Sequence, residues 1–91
     1  MNTVEVSDVL ESVFQEVSRA ESKFPPFNSA HEGHSVLREE VEELWDHVKE
    51  DTGYSVEAEK EAIQVAAMAI RYILMIRLRR SEGRIGGKGA W

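Results

Sequence analysis

The chain contains no cysteine and only two prolines among its 91 residues. Without thiols it holds no disulfide, no thiolate metal site and no cysteine nucleophile, so any metal would rest on oxygen or imidazole. A long apolar run is also missing. The longest, residues 62–76, is interrupted by Gln64 and Arg71 and falls short of the roughly 20 residues that span a bilayer. No basic stretch followed by an apolar core opens the sequence, as a secretory signal would. These absences make a cytoplasmic soluble protein, with no membrane association, the expectation. Basic residues are scarce in the body of the chain, since residues 1–61 carry 16 of the 17 acids but only 5 of the 11 bases. A duplex-binding surface needs a basic stripe to neutralise phosphates, so no nucleic-acid duplex is expected as partner. Arg77, Arg79 and Arg80 are read instead as cations closing a helix, where they complement its negative end. Phosphate-binding glycine loops, nucleophile elbows and dinucleotide fingerprints are all absent.

What is present is helical periodicity. From about residue 6 to residue 23, Val6, Val9, Leu10, Val13, Phe14, Val17 and Ala20 recur at three- and four-residue steps. Asp8 and Glu11 have capping-box spacing, with a start nearer Thr3 as the alternative. Pro25 and Pro26 end this helix, and Phe24-Pro-Pro-Phe27 reads as a stiff elbow whose two aromatics pack down, or else as one wall of a ligand pocket. Ser29 and Glu32 again have capping-box spacing and open a second helix to about residue 50. Its predicted core seam is Leu37, Val41, Leu44 and Val48. Asp51-Thr-Gly53-Tyr54 forms a turn in which Gly53 suits a positive φ, and Ser55 caps a third helix over about residues 56–80.

That third helix is apolar on nearly every side: Ala62, Ala66, Ala69 and Ile73 on one, Ile63, Ala67, Ile70 and Leu74 on another, Met68, Tyr72 and Met75 on a third. Two helices in so short a chain leave part of it uncovered. The expected architecture is therefore all-α, three main helices per chain, completed as a helical bundle by oligomerisation into a homodimer or homotetramer. Residues 1–82 form the helical domain, and residues 83–91 a flexible glycine-rich tail ending in Trp91.

Charge interrupts the pattern at two places. Glu39, Glu40, Glu42 and Glu43 crowd the second helix; Glu40 and Glu43 lie on one flank of the seam with Glu39 just beyond, while Glu42 and Asp46 point elsewhere. Such clusters are common on solvated faces. Glu61 and Gln64, however, enter a helix that is otherwise almost wholly apolar, and polar groups there need a partner. A short turn favours antiparallel packing of the two helices, which would bring the acids face to face. Carboxylates so placed repel unless a proton or divalent cation neutralises them, and oxygen-only ligands select Mg²⁺, Mn²⁺ or Ca²⁺.

Glu39-Glu-Val-Glu-Glu43, followed by Glu61-Ala-Ile-Gln64, resembles the two-part signature of the MazG-like all-α nucleoside triphosphate pyrophosphohydrolases over roughly residues 29–72. The resemblance implies a Mg²⁺-dependent enzyme, with Mn²⁺ a substitute, that cuts a nucleoside triphosphate substrate between the α- and β-phosphates. By position it implies Glu40, Glu43, Glu61 and Gln64 as metal ligands and Glu39 as the residue serving a second metal or orienting the attacking water. Gln64 departs from the family pattern, which has aspartate there, and Glu57, one turn before Glu61, is a candidate for the missing charge. Lys23, Arg38, Lys60 and Arg71 are candidate phosphate contacts, and Phe24, Phe27, Trp45 or Tyr72 candidate walls for a base. His31 and His34 lack the spacing of a helical zinc motif; His34 remains a candidate for phosphate or acid-base work. The alternative functions are a non-catalytic relative whose metal site is weakened by Gln64, and an acidic helical partner protein without a site.

Overall fold

In a computed structural model, residues 3–83 are described; of the predicted tail, residues 84–91 with Trp91 lie outside them. Three helices follow in order, α1 (Thr3–Lys23), α2 (Ala30–Asp51) and α3 (Val56–Ser81), with no strand among the described residues. α1 begins at Thr3, so Asp8 and Glu11 are interior: the Ser12 hydroxyl donates to the Asp8 carbonyl at 3.3 Å and Gln15 donates to Glu11 at 2.6 Å. The expected capping box at Asp8 does not form, because a helix already underway satisfies the amides it would serve.

The other helix starts follow their caps. Ser29, extended at φ −157, accepts from the Glu32 amide at 3.0 Å. Glu32 reaches back one residue further than a standard capping box, its carboxylate accepting from the Asn28 amide at 2.7 Å. Ser55 accepts from the Ala58 amide at 3.0 Å. Between α2 and α3 the chain reverses through two left-handed residues, Thr52 at φ 74 and Gly53 at φ 81. Asp51 ties the turn together, accepting from the Gly53 amide at 3.0 Å and the Ser55 hydroxyl at 2.7 Å, with His47 Nδ1 3.1 Å away. Those donors, Ser55 foremost, hold the Asp51 carboxyl below its usual range.

α3 is the middle helix. α1 and α2 each pack on it, and neither packs on the other. The buried centre consists of Ala20, Phe27, Ala67, Met68 and Met75, with Val17, Val36, Leu37, Tyr72 and Ile76 packed around it. α2 approaches closely at Gly33: a Cβ there would stand 2.7 Å from the Tyr72 ring and 2.9 Å from the Phe27 ring. Gly33 therefore serves close packing of α2 against α3, although its helix propensity is poor.

That contact turns α2 away from the seam expected from its periodicity. Gly33, Val36, Leu37, Glu40, Leu44 and His47 are buried or half-buried, whereas Val41 is 47% and Val48 42% exposed. Glu40 rotates inward and two valines rotate out. On the elbow the expectation divides as well. Phe27 is buried, but Phe24 is 53% exposed. As expected of two helices in so short a chain, α3 stays partly uncovered: Ala62, Ile70, Ile73 and Leu74 are exposed, opposite Met68, Arg71 and Met75.

Arg71 is 5% exposed and organises the elbow. Its Nε donates to Glu21 at 2.6 Å and its Nη2 to the Pro25 carbonyl at 2.8 Å and the Phe24 carbonyl at 3.4 Å, while the guanidinium lies 4.9 Å from the centre of the Phe27 ring. Pro25 and Pro26 break the helix and supply no N–H, so the Phe24 and Pro25 carbonyls have no helical partner. One arginine from the middle helix satisfies them and neutralises the last acid of α1.

Candidate metal centre and adjoining clefts

Glu40 and Glu43 are one helical turn apart on α2, and the antiparallel arrangement sets Glu61 of α3 against them. One carboxylate oxygen from each of the three lies within 4.8 Å of the others. Glu61 Oε2 is buried and has no hydrogen-bond partner among the described residues. The Glu40 carboxyl is pushed up to about 7, by burial first and then by the charges of Glu43, Glu61 and Glu39. Glu43 is also raised, by the close approach of the Glu61 side chain first and then by burial. Glu40 and Glu43 thus hold their protons more tightly than isolated acids do.

The donor set suits a hard divalent cation. Oxygens on an octahedral Mg²⁺ at about 2.1 Å stand roughly 3 Å apart when adjacent and about 4 Å apart when opposite, so the observed cluster is on that scale and slightly looser. A cation would also satisfy the orphaned Glu61 oxygen. Glu39 is exposed on the neighbouring flank and acts on both Glu40 and Glu43 by charge.

Gln64, the fourth residue of the sequence pattern, has an unexpected neighbour. Glu16 of α1 lies beside it, and the Glu16 carboxyl is held below its usual range by Arg19 first and with help from the Gln64 amide, against the effect of burial. Arg19 Nε donates to both Glu16 oxygens, at 3.0 and 3.2 Å, and its Nη2 donates to one of them. An amide that donates to Glu16 turns its carbonyl oxygen elsewhere. An aspartate at this position would meet Glu16 as a like charge. Glu57, the candidate substitute, is exposed and outside the cluster.

Two clefts meet at this point. One, of about 400 Å³, lies beneath the elbow and is lined by Phe24, Pro25, Phe27, Val36 and Met68, with Glu40, Gln64 and Arg19 at its polar edge. The other, of about 570 Å³, lies between α1 and α3 and is lined by Ser12, Gln15, Glu16, Arg19, Lys60 and Gln64, together with Ile63. Arg19 and Gln64 border both.

The remaining candidates are dispersed. Arg71 lines the elbow cleft but is committed to Glu21, two carbonyls and the Phe27 ring. Tyr72 packs its ring against Gly33. Arg38 pairs with Glu42 at 3.4 Å on an exposed face, Lys23 and His34 are exposed, and Trp45 is exposed beneath Lys49, 5.7 Å from its ring centre. Glu16 and Arg19 escape a reading of α1 as a packing helix. The signal that would have found them is positional: Glu16 borders the apolar stripe of α1 as Glu40 borders that of α2, with an arginine three residues on. Comparison of the chain with known protein families, curated proteins and solved structures gives no match.

Proposed function

We propose that the chain is a Mg²⁺-dependent nucleoside triphosphate pyrophosphohydrolase of MazG-like type, releasing a nucleoside monophosphate and pyrophosphate. The observation that carries this reading is the convergence of Glu40, Glu43 and Glu61 from two helices, with an unsatisfied buried Glu61 oxygen, at the edge of an apolar cleft of ligand size. Bound Mg²⁺ would polarise a phosphoryl oxygen and neutralise charge on the pyrophosphate leaving group. Glu40, Glu43 and Glu61 would hold that ion, with the Gln64 carbonyl oxygen of α3 as a further ligand, and Glu39 would orient the attacking water from the solvent side. The elbow keeps water from the apolar end of the ligand.

The test is pyrophosphate release from a panel of canonical and modified deoxynucleoside triphosphates with Mg²⁺. The wild type should turn over at least one of them and Glu40→Gln should lose on the order of a hundredfold or more in rate, the scale on which electrostatic stabilisers act. A folded wild type that releases nothing from any of them refutes the enzyme.

A second reading is favoured by the contact of Gln64 with Glu16: a non-catalytic relative that keeps the bundle and weak metal or nucleotide binding. On that reading Mg²⁺ binds and no nucleotide is cut. Gln64→Asp combined with Glu16→Gln, which restores the acid without the like charge beside it, should then raise Mg²⁺ affinity. Unchanged affinity in that double variant counts against Gln64 as part of the site.

Oligomerisation belongs to the same reading. Ile70, Ile73 and Leu74 of α3, Leu10 and Phe14 of α1, and Val41, Trp45 and Val48 of α2 are all exposed, and helical geometry assigns them to the side of the layer away from the elbow. A second copy of the chain is the occupant that would bury the excess, as a homodimer or a homotetramer.

A further inference from the structure

The elbow cleft is apolar except at one edge. Phe24, Pro25, Phe27, Val36 and Met68 wall it, and Phe24 is half-exposed, so one aromatic ring is open to a ligand. The charged lining is two arginines and two glutamates. Arg71 is paired with Glu21 and Arg19 with Glu16, so neither guanidinium brings uncompensated charge to the cleft. Glu32 accepts from Asn28 alone, and Glu40 stands among other acids; neither has a cationic partner among the described residues. The balance of the slot is therefore negative, and at its polar edge Glu40 leads directly into the acid cluster.

The spacing inside the cluster discriminates between kinds of cation. The three N–H donors of a primary ammonium point at tetrahedral angles, so acceptors about 2.8 Å from the nitrogen stand roughly 4.6 Å from one another. Glu40, Glu43 and Glu61 each offer an oxygen within 4.8 Å of the other two, a spacing looser than that of adjacent Mg²⁺ ligands and suited to three hydrogen bonds on one nitrogen. Glu61 Oε2 is buried with no partner among the described residues, and an N–H from a ligand would remove the cost of leaving it unsatisfied. We infer that the elbow cleft and the acid cluster together form a site for a hydrophobic primary amine. Its ammonium donates to Glu40, Glu43 and Glu61, and its apolar body lies under the elbow against Phe24, Val36 and Met68. The ligand class is an arylalkylammonium ion: the ring needs an apolar slot with one aromatic neighbour, and the charge needs oxygens at the slot's end. A carboxyl that keeps its proton still offers a carbonyl oxygen to an N–H. The site requires neither Mg²⁺ nor phosphate, so it goes beyond the hydrolase reading and is tested apart from it.

Calorimetric titration of the full chain, in chelator and in a buffer free of amines, tests the site with four probes. Phenethylammonium carries both parts of the ligand; phenethyl alcohol keeps the ring without the charge, methylammonium keeps the charge without the ring, and phenethyltrimethylammonium keeps ring and charge without any N–H. Wild type is expected to bind phenethylammonium and to bind each of the other three at least about tenfold more weakly, the scale of one charge-assisted hydrogen bond. This series needs no variant. Glu40→Gln and Glu61→Gln should each weaken phenethylammonium by on the order of tenfold, and Phe24→Ala by about threefold to tenfold, the scale of one aromatic contact. The chain is acidic, with a net charge of −6, so diffuse attraction of cations needs its own control: Glu50→Gln, which removes an exposed acid outside the cluster and cleft, should leave binding unchanged. Helical circular dichroism verifies the fold of each variant. The proposal fails if wild type does not bind phenethylammonium, or if any of the other three probes binds as tightly. It fails equally if Glu40→Gln, Glu61→Gln or Phe24→Ala binds as wild type does, or if Glu50→Gln weakens binding as much as they do. Absence of pyrophosphate release from nucleotides would bear on the hydrolase and leave this result standing.

Discussion

The two sides of the three-helix layer are built on opposite principles. On one side lie the elbow, the three clustered acids and two clefts, and several polar groups there are held by specific partners: Arg71 by Glu21 and two carbonyls, Arg19 by Glu16, and Ser29 by the Glu32 amide at the start of α2. On the other side lie Phe14, Val41, Trp45, Ile73 and Leu74, all exposed. The difference shows that burial alone did not place the side chains. Val48 would gain more from the interior than Glu40, yet Glu40 is the one turned inward, because the close contact at Gly33 sets the rotation of α2. A helix fixed by one tight contact cannot also optimise every apolar position.

Breaking the organised side should cost most. Arg71→Met keeps the apolar stem and removes the charge, leaving Glu21 unpaired and the elbow carbonyls to water. Loss of about 2–3 kcal/mol of unfolding free energy is expected in urea denaturation, within the range for breaking a partly buried pair; Glu21 is 38% exposed at its side chain, which keeps the cost below that of a fully buried one. A change under about 0.5 kcal/mol would show that the elbow holds without its arginine. Gly33→Ala should cost roughly 1–2 kcal/mol, since overpacking against Tyr72 and Phe27 outweighs the better helix propensity of alanine. A more stable Gly33→Ala protein would mean that the two rings retreat freely and that the rotation of α2 has another cause.

The acid cluster gives a pH signature. Glu40 is raised from 4.5 to about 7 in the folded chain, so the native state binds its proton more tightly than the unfolded state does. Its contribution is fully present below about pH 4.5 and is lost as pH rises through about 7. Because Glu40 is only partly shielded from water, the expected loss is about 1 kcal/mol. Thermal unfolding between pH 5 and 8 without divalent cations should show this decline, and Glu40→Gln should flatten it. A wild-type stability that rises over the same interval contradicts the placement of Glu40. The smallest effect on the fold belongs to the other side: Ile73→Glu should change monomer stability by no more than about 0.5 kcal/mol, while reducing the proposed assembly to a monomer in light scattering at micromolar concentration. Wild type already monomeric there would remove the assembly from the proposal.

The contrast between sides also explains what could be read in advance. The helix starts at Ser29 and Ser55 are local, each needing only a hydroxyl and an amide three residues on, and both formed where the spacing indicated. Gly53 likewise answers to a φ requirement inside its own turn. Glu40, Glu43 and Glu61 could be brought together on paper because a short turn leaves two helices little choice but antiparallel packing. Arg71 resisted such reading: its charge suggested phosphate, and only the position of the Pro25 and Phe24 carbonyls, 46 and 47 residues away, reveals its commitment.

The sequence by itself therefore determined the all-helical class, the boundaries set by caps and prolines, and the pairing of acids on α2 and α3, since these follow from interactions within a few residues or across one turn. Tertiary structure alone decided that α3 lies in the middle, that Gly33 turns Glu40 inward and Val41 outward, and that Glu16 of α1 meets Gln64. The physical reason is that periodicity defines which residues share a helix face, while the neighbour packed against that face decides how far it turns and which charges it meets.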